Sequence, residues 1–397
     1  MSEYGIYPIV ITKSFNRNQK NFCDIEKFDT HEVHRLNVSE ELFYKFKNKQ
    51  GVLKRIFRKV TMYLYPHFHT SYLFGPFKKM RDYMIDLLLG MDDVLPNIIL
   101  STARPYGLFR VAQDVSLATG IPWIADYRDD WTTTELHVSD TVRSIYNGKD
   151  YKLEKKWLSS AKGITTVSHY YLEKILFLAP LGIKSAVVQN GFFEDQYLRK
   201  LDYNDSLNDT LSFIYVGSLY PTQDIFVVLK GIAVAINQMC LDEFVHIDFI
   251  GTRISEDLRR EWTKSLECSN LKIRILPRMA KEVLLDVQRK YHYSLIVPHT
   301  GLKGVPSSKI YEFVGSQIAV LAHPGDKDVI DHILTDTGLG LISYDSTSLI
   351  VNIKKIIVAY KNGETLVNPK VERIKSYSRR KSTEDVSNLI KEIVNAE

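Results

Sequence analysis

Apolar positions fall into two long series of short β-branched runs, each run followed by a stretch at helical spacing. In the first series YPIVIT (7–12), NIILST (97–102), PWIADY (122–127), GITTVS (163–168) and SAVVQNG (185–191) read as strands, apolar and closed by polar or turn residues. MRDYMIDLLLGM (80–91) and YGLFRVAQDVSLATG (106–120) read as helices, and Gly120 is placed to end the second at its C-cap. Residues 13–40 are polar and weakly patterned.

The second series opens near residue 211. LSFIYVGS (211–218), VHIDFIG (245–251), LKIRILP (271–277), YSLIVP (293–298) and IAVLAH (318–323) read as strands. DIFVVLKGIAVAINQM (224–239), residues 255–267, MAKEVLLDVQRKY and SSKIYEFVGS (307–316) read as the helices between them. Strands separated by helices predict parallel sheets covered on both faces, so the chain is expected to be α/β with two doubly wound Rossmann-like domains. The expected bounds are 1–195, an acceptor-side domain, and 205–365, a nucleotide-sugar domain. A helical segment, 366–397, is expected to pack back on the first. The joint falls where NGFFEDQ and LDYNDSLND are polar and turn-prone.

Composition narrows the class. At 397 residues with 45% hydrophobic positions, the chain can bury two cores and is excluded from the disordered class. A net charge of +5 (52 − 47), with no recognition motif beside it, excludes nucleic acid as the expected partner. Cys23, Cys240 and Cys268 lie far apart, which argues against a disulfide framework or zinc site and for a reducing, cytoplasmic setting. No apolar run approaches the ~18–20 residues needed to span a bilayer. Charge is concentrated in one place: Lys45 to Arg81 holds ten Lys or Arg and no Asp or Glu, interleaved with Phe46, Phe57, Tyr63, Tyr65, Phe68, Tyr72 and Phe74. Such a segment suits peripheral contact with an anionic membrane face, or forms a solvated helix face.

Ligands of doubly wound sheets bind beyond the carboxyl ends of the strands, which directs attention to the residues after each one. Gly217 and Ser218 follow a strand and precede a helix, where a glycine lets backbone N–H groups approach a phosphate. In GVPSSKIYEF, Ser307 can cap a helix whose first turn contains Lys309, with Glu312 three residues later on the same face. The helix end and the ammonium favour a diphosphate, and the carboxylate can accept both hydroxyls of a ribose. In the first domain, ADYRDDW packs Asp126, Arg128, Asp129 and Asp130 at a strand end, where carboxylates can position acceptor hydroxyls or take a proton. Arg104 sits at the equivalent end of the preceding strand. The histidines show no metal-ligand spacing. No G-x-G-x-x-G follows a strand, which excludes a Rossmann dehydrogenase.

IILSTARPYG, GIPWIADYRDDW, AKGITTVSHYY, VVQNGF, FIYVGSLYP, VHIDFIG and VPSSKIYEFVGSQIAVLA, in that order over roughly residues 97–325, resemble the retaining nucleotide-sugar glycosyltransferases of family 4, especially bacterial polysaccharide and lipopolysaccharide enzymes. The resemblance implies a GT-B fold, two domains facing across a cleft, and transfer from a UDP- or GDP-sugar to a glycan or lipid-linked acceptor. It implies no metal or other cofactor. Under it Glu312 is the ribose carboxylate, with Lys309, Ser307, Gly217, Ser218 and Arg253 on the donor. Asp126, Arg128 and Asp129 face the acceptor or the transferring sugar.

Three departures stand against the pattern. Many members carry two glutamates separated by seven residues, and the first falls here at Gly304. An arginine near the donor phosphates is replaced around Gln223, leaving Lys303, Lys309, Arg253 or Arg278 to serve. The segment like EYGIYPIVIT starts at residue 3, so the first domain is expected to lack its opening strand and glycine loop. An inverting mechanism with Asp126 or Asp129 as base, a sugar-nucleotide epimerase of GT-B fold, and a non-catalytic relative remain alternatives.

Overall fold

The computed structural model describes residues 1–14, 21, 23–38, 76–91, 95–133, 150–197 and 210–396. Most of the basic stretch 45–81 therefore lies outside the described residues. The chain divides into two compact units, Met1–Val188 with Thr383–Glu397, and Gln189–Ser382. Residues 366–382, expected as part of the terminal segment, belong to the second unit.

In the first unit β1 (Ile9–Lys13), β2 (Cys23–Phe28) and β3 (His31–Leu36) form a sheet of order β1-β3-β2. The strands β4 (Ile99–Ala103), β5 (Trp123–Tyr127), β6 (Gly163–Thr166) and β7 (Lys184–Val187) form a second, parallel one. The β2–β3 hairpin corrects the reading of residues 13–40 as weakly patterned. Its alternation is carried by charges: Lys27 stands opposite Glu32, and Arg35 pairs with Glu26 across the strands. β2 is mostly exposed and only His34 and Leu36 of β3 are fully buried, so apolar periodicity is faint even though cross-strand ion pairs favour the register. The helix Gly107–Thr119 ends as expected, with Gly120 left-handed at φ 75° and its N–H on Ser116 O. On the β4–β7 sheet, Ile124 and Val188 share a core with Val386, Leu389, Ile390 and Ile393 of the final helix Arg379–Val394. Gly163 makes room for this, since a Cβ there would lie 2.6 Å from Ile393 Cδ1.

The second unit holds one parallel sheet of β8 (Ser212–Val216), β9 (Val245–Ile250), β10 (Leu271–Leu276), β11 (Tyr293–Ile296), β12 (Ala319–Ala322) and β13 (Gly340–Ile342). Their order is β10-β9-β8-β11-β12-β13. Side chains alternate between two cores, as a strand period of two demands. Phe213, Tyr215, Ile247 and Phe249 pack with the helices Ile225–Gln238 and Ser346–Asn362 on one face. Ile214, Val216, Ile250 and Val320 pack with Ser308–Gly315 and Val329–Thr337 on the other. From β8 the chain runs through its helix to β9 on one side, and from β11 to β12 on the other. The strand order thus reverses between β8 and β11, opening a crevice beyond their carboxyl ends.

Candidate functional site

Gly217 ends β8 at this reversal. Its φ of +84° is left-handed, its N–H donates to Ile250 O at 2.8 Å, and its carbonyl accepts from Thr252 Oγ1 at 2.7 Å. A Cβ at Gly217 would lie 2.9 Å from Lys309 Cε, so the glycine admits the lysine to the turn. Lys309 Nζ donates to Ser218 O at 3.3 Å and stands 4.7 Å from the Tyr215 ring centroid. Burial pushes its pKa down to about 8, with the Glu312 charge acting in the opposite direction. An ammonium half stripped of water, with one carbonyl as its hydrogen-bond acceptor, is poised for an anion.

The loops after β8 and β11 are tied together. Gln223 Nε2 donates to Val297 O at 2.6 Å while its Oε1 accepts from Tyr220 N. Thr222 Oγ1 and His299 Nδ1 lie 2.6 Å apart, and burial lowers the His299 pKa, with the Lys309 charge adding to the effect. Gln223 is thus a strut of the crevice wall. Arg253 and Arg278 are exposed at the ends of β9 and β10, and no described contact brings either to Lys309.

Ser307 occupies the N-cap of the helix Ser308–Gly315, but its hydroxyl makes no capping bond, contrary to the expectation. The cap is closed by backbone instead, Ile310 N donating to Ser307 O at 3.1 Å. The amides of Ser308 and Lys309, for which no acceptor is described, keep their capacity for a ligand. Glu312 lies on the same helix, its Oε1 3.6 Å from Lys281 Nζ. Lys281 also stands 5.3 Å from the centroid of the exposed Phe193 ring. The structure therefore gathers Gly217, Ser218, Lys309 and Ser307 with Glu312 nearby; Arg253 directly follows Thr252, whose hydroxyl holds the Gly217 carbonyl, and its exposed side chain has no described contact with them. Sequence reasoning missed Thr252, which directly follows the glycine ending β9 and could have been noticed there. Lys281 offered no such signal.

In the first unit Asp126 is almost fully buried. Its Oδ1 accepts from Thr165 Oγ1 at 2.6 Å and its Oδ2 from Arg128 Nε at 3.1 Å. Arg128 Nη1 also donates to Val188 O at 3.2 Å. With both oxygens engaged, Asp126 fixes the guanidinium. Asp129 is exposed, with Arg104 Nε 3.7 Å away, and is the carboxylate of this turn that reaches solvent. Arg104 Nε donates to Tyr106 Oη, whose ring stacks on Trp131 at 4.6 Å.

Behind the turn lies a buried carboxylate that sequence reasoning did not single out. Glu154 accepts from Tyr127 Oη at 2.8 Å, and from Thr132 through both its N–H and its hydroxyl. Burial raises its pKa from the usual 4.5 to about 6. The folded protein thus takes up this proton at higher pH than the unfolded chain. The resulting stability is full below pH 4.5 and lost as pH rises through 6, a difference of roughly 2 kcal/mol. Denaturant melts at pH 4.5 and 7 are expected to show wild type losing this amount relative to Glu154→Gln. Parallel profiles would contradict it.

No family model and no curated protein matches the chain. Solved structures do. The sucrose-phosphate synthase of Thermosynechococcus elongatus superposes with a TM-score of 0.60 at 14% identity, over 98% of this chain and 89% of that one. The UDP-forming α,α-trehalose-phosphate synthase of Burkholderia vietnamiensis gives 0.62 at 11%, over 98% and 100%. The E. coli trehalose-6-phosphate structure bound with UDP-2-fluoro glucose gives 0.60 at 11%, over 98% of each chain. These likenesses support the GT-B part of the sequence resemblance and not its family 4 part. Two α/β units, each with a parallel sheet, and the folds of these neighbours together establish that the chain has the GT-B fold.

Proposed function

We propose that the protein is a glycosyltransferase that binds a UDP- or GDP-sugar in the β8–β11 crevice and transfers the sugar to a hydroxyl acceptor. The observation that carries this reading is Lys309, half-buried at the strand-order reversal, beside Ser218 and the first turn of Ser308–Gly315. A leaving diphosphate gathers negative charge, and a fixed ammonium with unpaired helix amides stabilises it as it departs. Glu312 takes the ribose hydroxyls, exchanging or sharing its contact with Lys281. The GT-B neighbours whose names state UDP formation or a bound UDP-sugar support the donor class.

Arg128, held by Asp126, and the exposed Asp129 serve the acceptor side. Retention at the anomeric carbon, and a glycan or lipid-linked acceptor in cell-surface polysaccharide synthesis, rest on the sequence resemblance. A membrane contact through 45–81 rests on charge and aromatic content alone; no helix among the described residues is long and apolar enough to cross a membrane.

Calorimetric titration with UDP and GDP, followed by mass spectrometry with sugar-nucleotide and acceptor panels, tests the reading. The expected result is binding of one nucleoside diphosphate and acceptor-dependent release of it. Isomerisation without acceptor would point to an epimerase, and absence of any nucleotide binding would overturn the reading.

A further inference from the structure

We propose that Asp328 is a specificity-determining residue for the donor sugar, its carboxylate accepting a hydrogen bond from a sugar hydroxyl at the carboxyl end of β11. The inference rests on the donor reading above and deepens it.

Asp328 occupies the N-cap of the helix Val329–Thr337, yet its side chain makes no capping bond. Asp326 does that work. Its Oδ1 accepts from Asp328 N and Asp331 N, both at 3.0 Å, and its Oδ2 accepts from Ile330 N at 2.9 Å. Asp331 in turn accepts from Asp326 N at 3.1 Å and Lys327 N at 3.0 Å. The loop is thus held without Asp328, whose carboxylate is released from the helix it precedes.

That carboxylate turns to another strand's loop. Asp328 Oδ2 accepts from Gly304 N at 2.5 Å. β12, which feeds the Asp328 loop, lies directly beside β11, which feeds the Gly304 loop. Gly304 is buried, left-handed at φ +73°, and has no side chain of its own, so the carboxylate at this point of the crevice wall is Asp328's. The same loop continues through Ser307 to Lys309, so a sugar attached to a diphosphate held there lies within reach of this wall. Asp328 is only half-buried, and Oδ1 accepts no described hydrogen bond. Lys327, the cation beside it in sequence, is turned over the Tyr344 ring, 5.3 Å from its centroid. A carboxylate with one oxygen anchored and the other available matches the hydroxyl of a neutral hexose, to which it gives a charge-assisted bond. A site built to accept from a hydroxyl discriminates strongly against the sugar that lacks it.

Asp328→Asn separates this role from a purely architectural one. Asparagine Oδ1 can still accept from Gly304 N–H, while its NH2 group can only donate where the carboxylate oxygen accepted. Wild type, Asp328→Asn and Asp328→Ala are compared by titration with the free nucleoside diphosphate, and by kinetics with the preferred sugar nucleotide and its monodeoxy analogues. The expected result is unchanged nucleoside-diphosphate affinity in Asp328→Asn. Its kcat/KM for the intact donor falls about 10–100-fold, and one deoxy analogue is no longer discriminated. Wild-type discrimination in Asp328→Asn would overturn the proposal, whether or not Asp328→Ala folds well. Should wild type bind no nucleoside diphosphate, the donor reading itself fails, and that result is recognisable before any variant is made.

Discussion

Lys309→Ala is expected to lower kcat/KM for the donor by about 100-fold or more, the scale of losing one fixed charge that stabilises developing negative charge. The loss should fall on nucleoside-diphosphate affinity as well as on turnover, because the ammonium meets the phosphates in both ground and transition states. Its pKa of about 8 adds a signature in pH. The charged form that binds a diphosphate predominates below pH 8 and is lost above it. Affinity for UDP or GDP should therefore hold from pH 6 to 7.5 and fall by about tenfold per pH unit above 8. The alanine variant should lack that fall. The same depressed pKa means that folding penalises the ammonium. Lys309→Met, of similar length, is expected to melt at a higher temperature than wild type at pH 7 while binding donor poorly. A flat wild-type affinity profile to pH 9.5 would remove Lys309 from the phosphate site. Calorimetry across pH checks the first expectation and a thermal melt checks the second.

Arg274→Ala is expected to be the most destabilising of the substitutions considered, at about 2–4 kcal/mol. Asp248 on β9 is completely buried, and the register sets Arg274 of β10 directly opposite. The guanidinium binds the carboxylate through Nε at 2.7 Å and Nη2 at 2.6 Å, and Tyr291 Oη donates to the same carboxylate. Burial, with the Asp248 charge, pushes the Tyr291 pKa up, so it remains a donor at any ordinary pH. Without Arg274, a buried carboxylate is left with the tyrosine as its described donor. Because the arginine is half-exposed, removing it sacrifices little burial; the cost lies in the charge left behind. For a unit of this size the melting temperature should drop by roughly 5–15 °C. Asp248→Val with Arg274→Val removes both charges on strands that favour β-branched residues, and should cost less than Arg274→Ala alone. Urea melts of the three variants decide the matter, and a double variant worse than the single one would refute this account.

Much of the fold could be read along the chain. The runs 211–218, 245–251, 271–277, 293–298 and 318–323 became β8 to β12 with bounds shifted by a residue or two, since buried parallel strands are continuous apolar runs. The β2–β3 hairpin escaped because its pairing is written in Glu26, Lys27, Glu32 and Arg35, charges that look like a loop until the strands meet. Among candidate site residues, Gly217, Ser218, Asp126 and Arg128 were legible because they stand at a strand end, and Lys309 because it falls in the first turn of the helix that follows Ser307. Glu154, Lys281 and Asp328 were not, because each acquires its role from a partner on another element.

The sequence alone determined the periodicities, and with them the parallel α/β architecture, the strand-to-helix turn at Gly217 and the helix that begins after Ser307. These are local properties, set by side-chain spacing and backbone preference over a few residues. Only the tertiary structure decided the strand order that opens the crevice between β8 and β11. It also decided the burial that brings Lys309 to a pKa near 8, the engagement of both Asp126 oxygens, and the anchoring of Asp328 on Gly304. Burial and hydrogen-bond partnership are relations between residues distant in the chain, and packing alone brings such residues together.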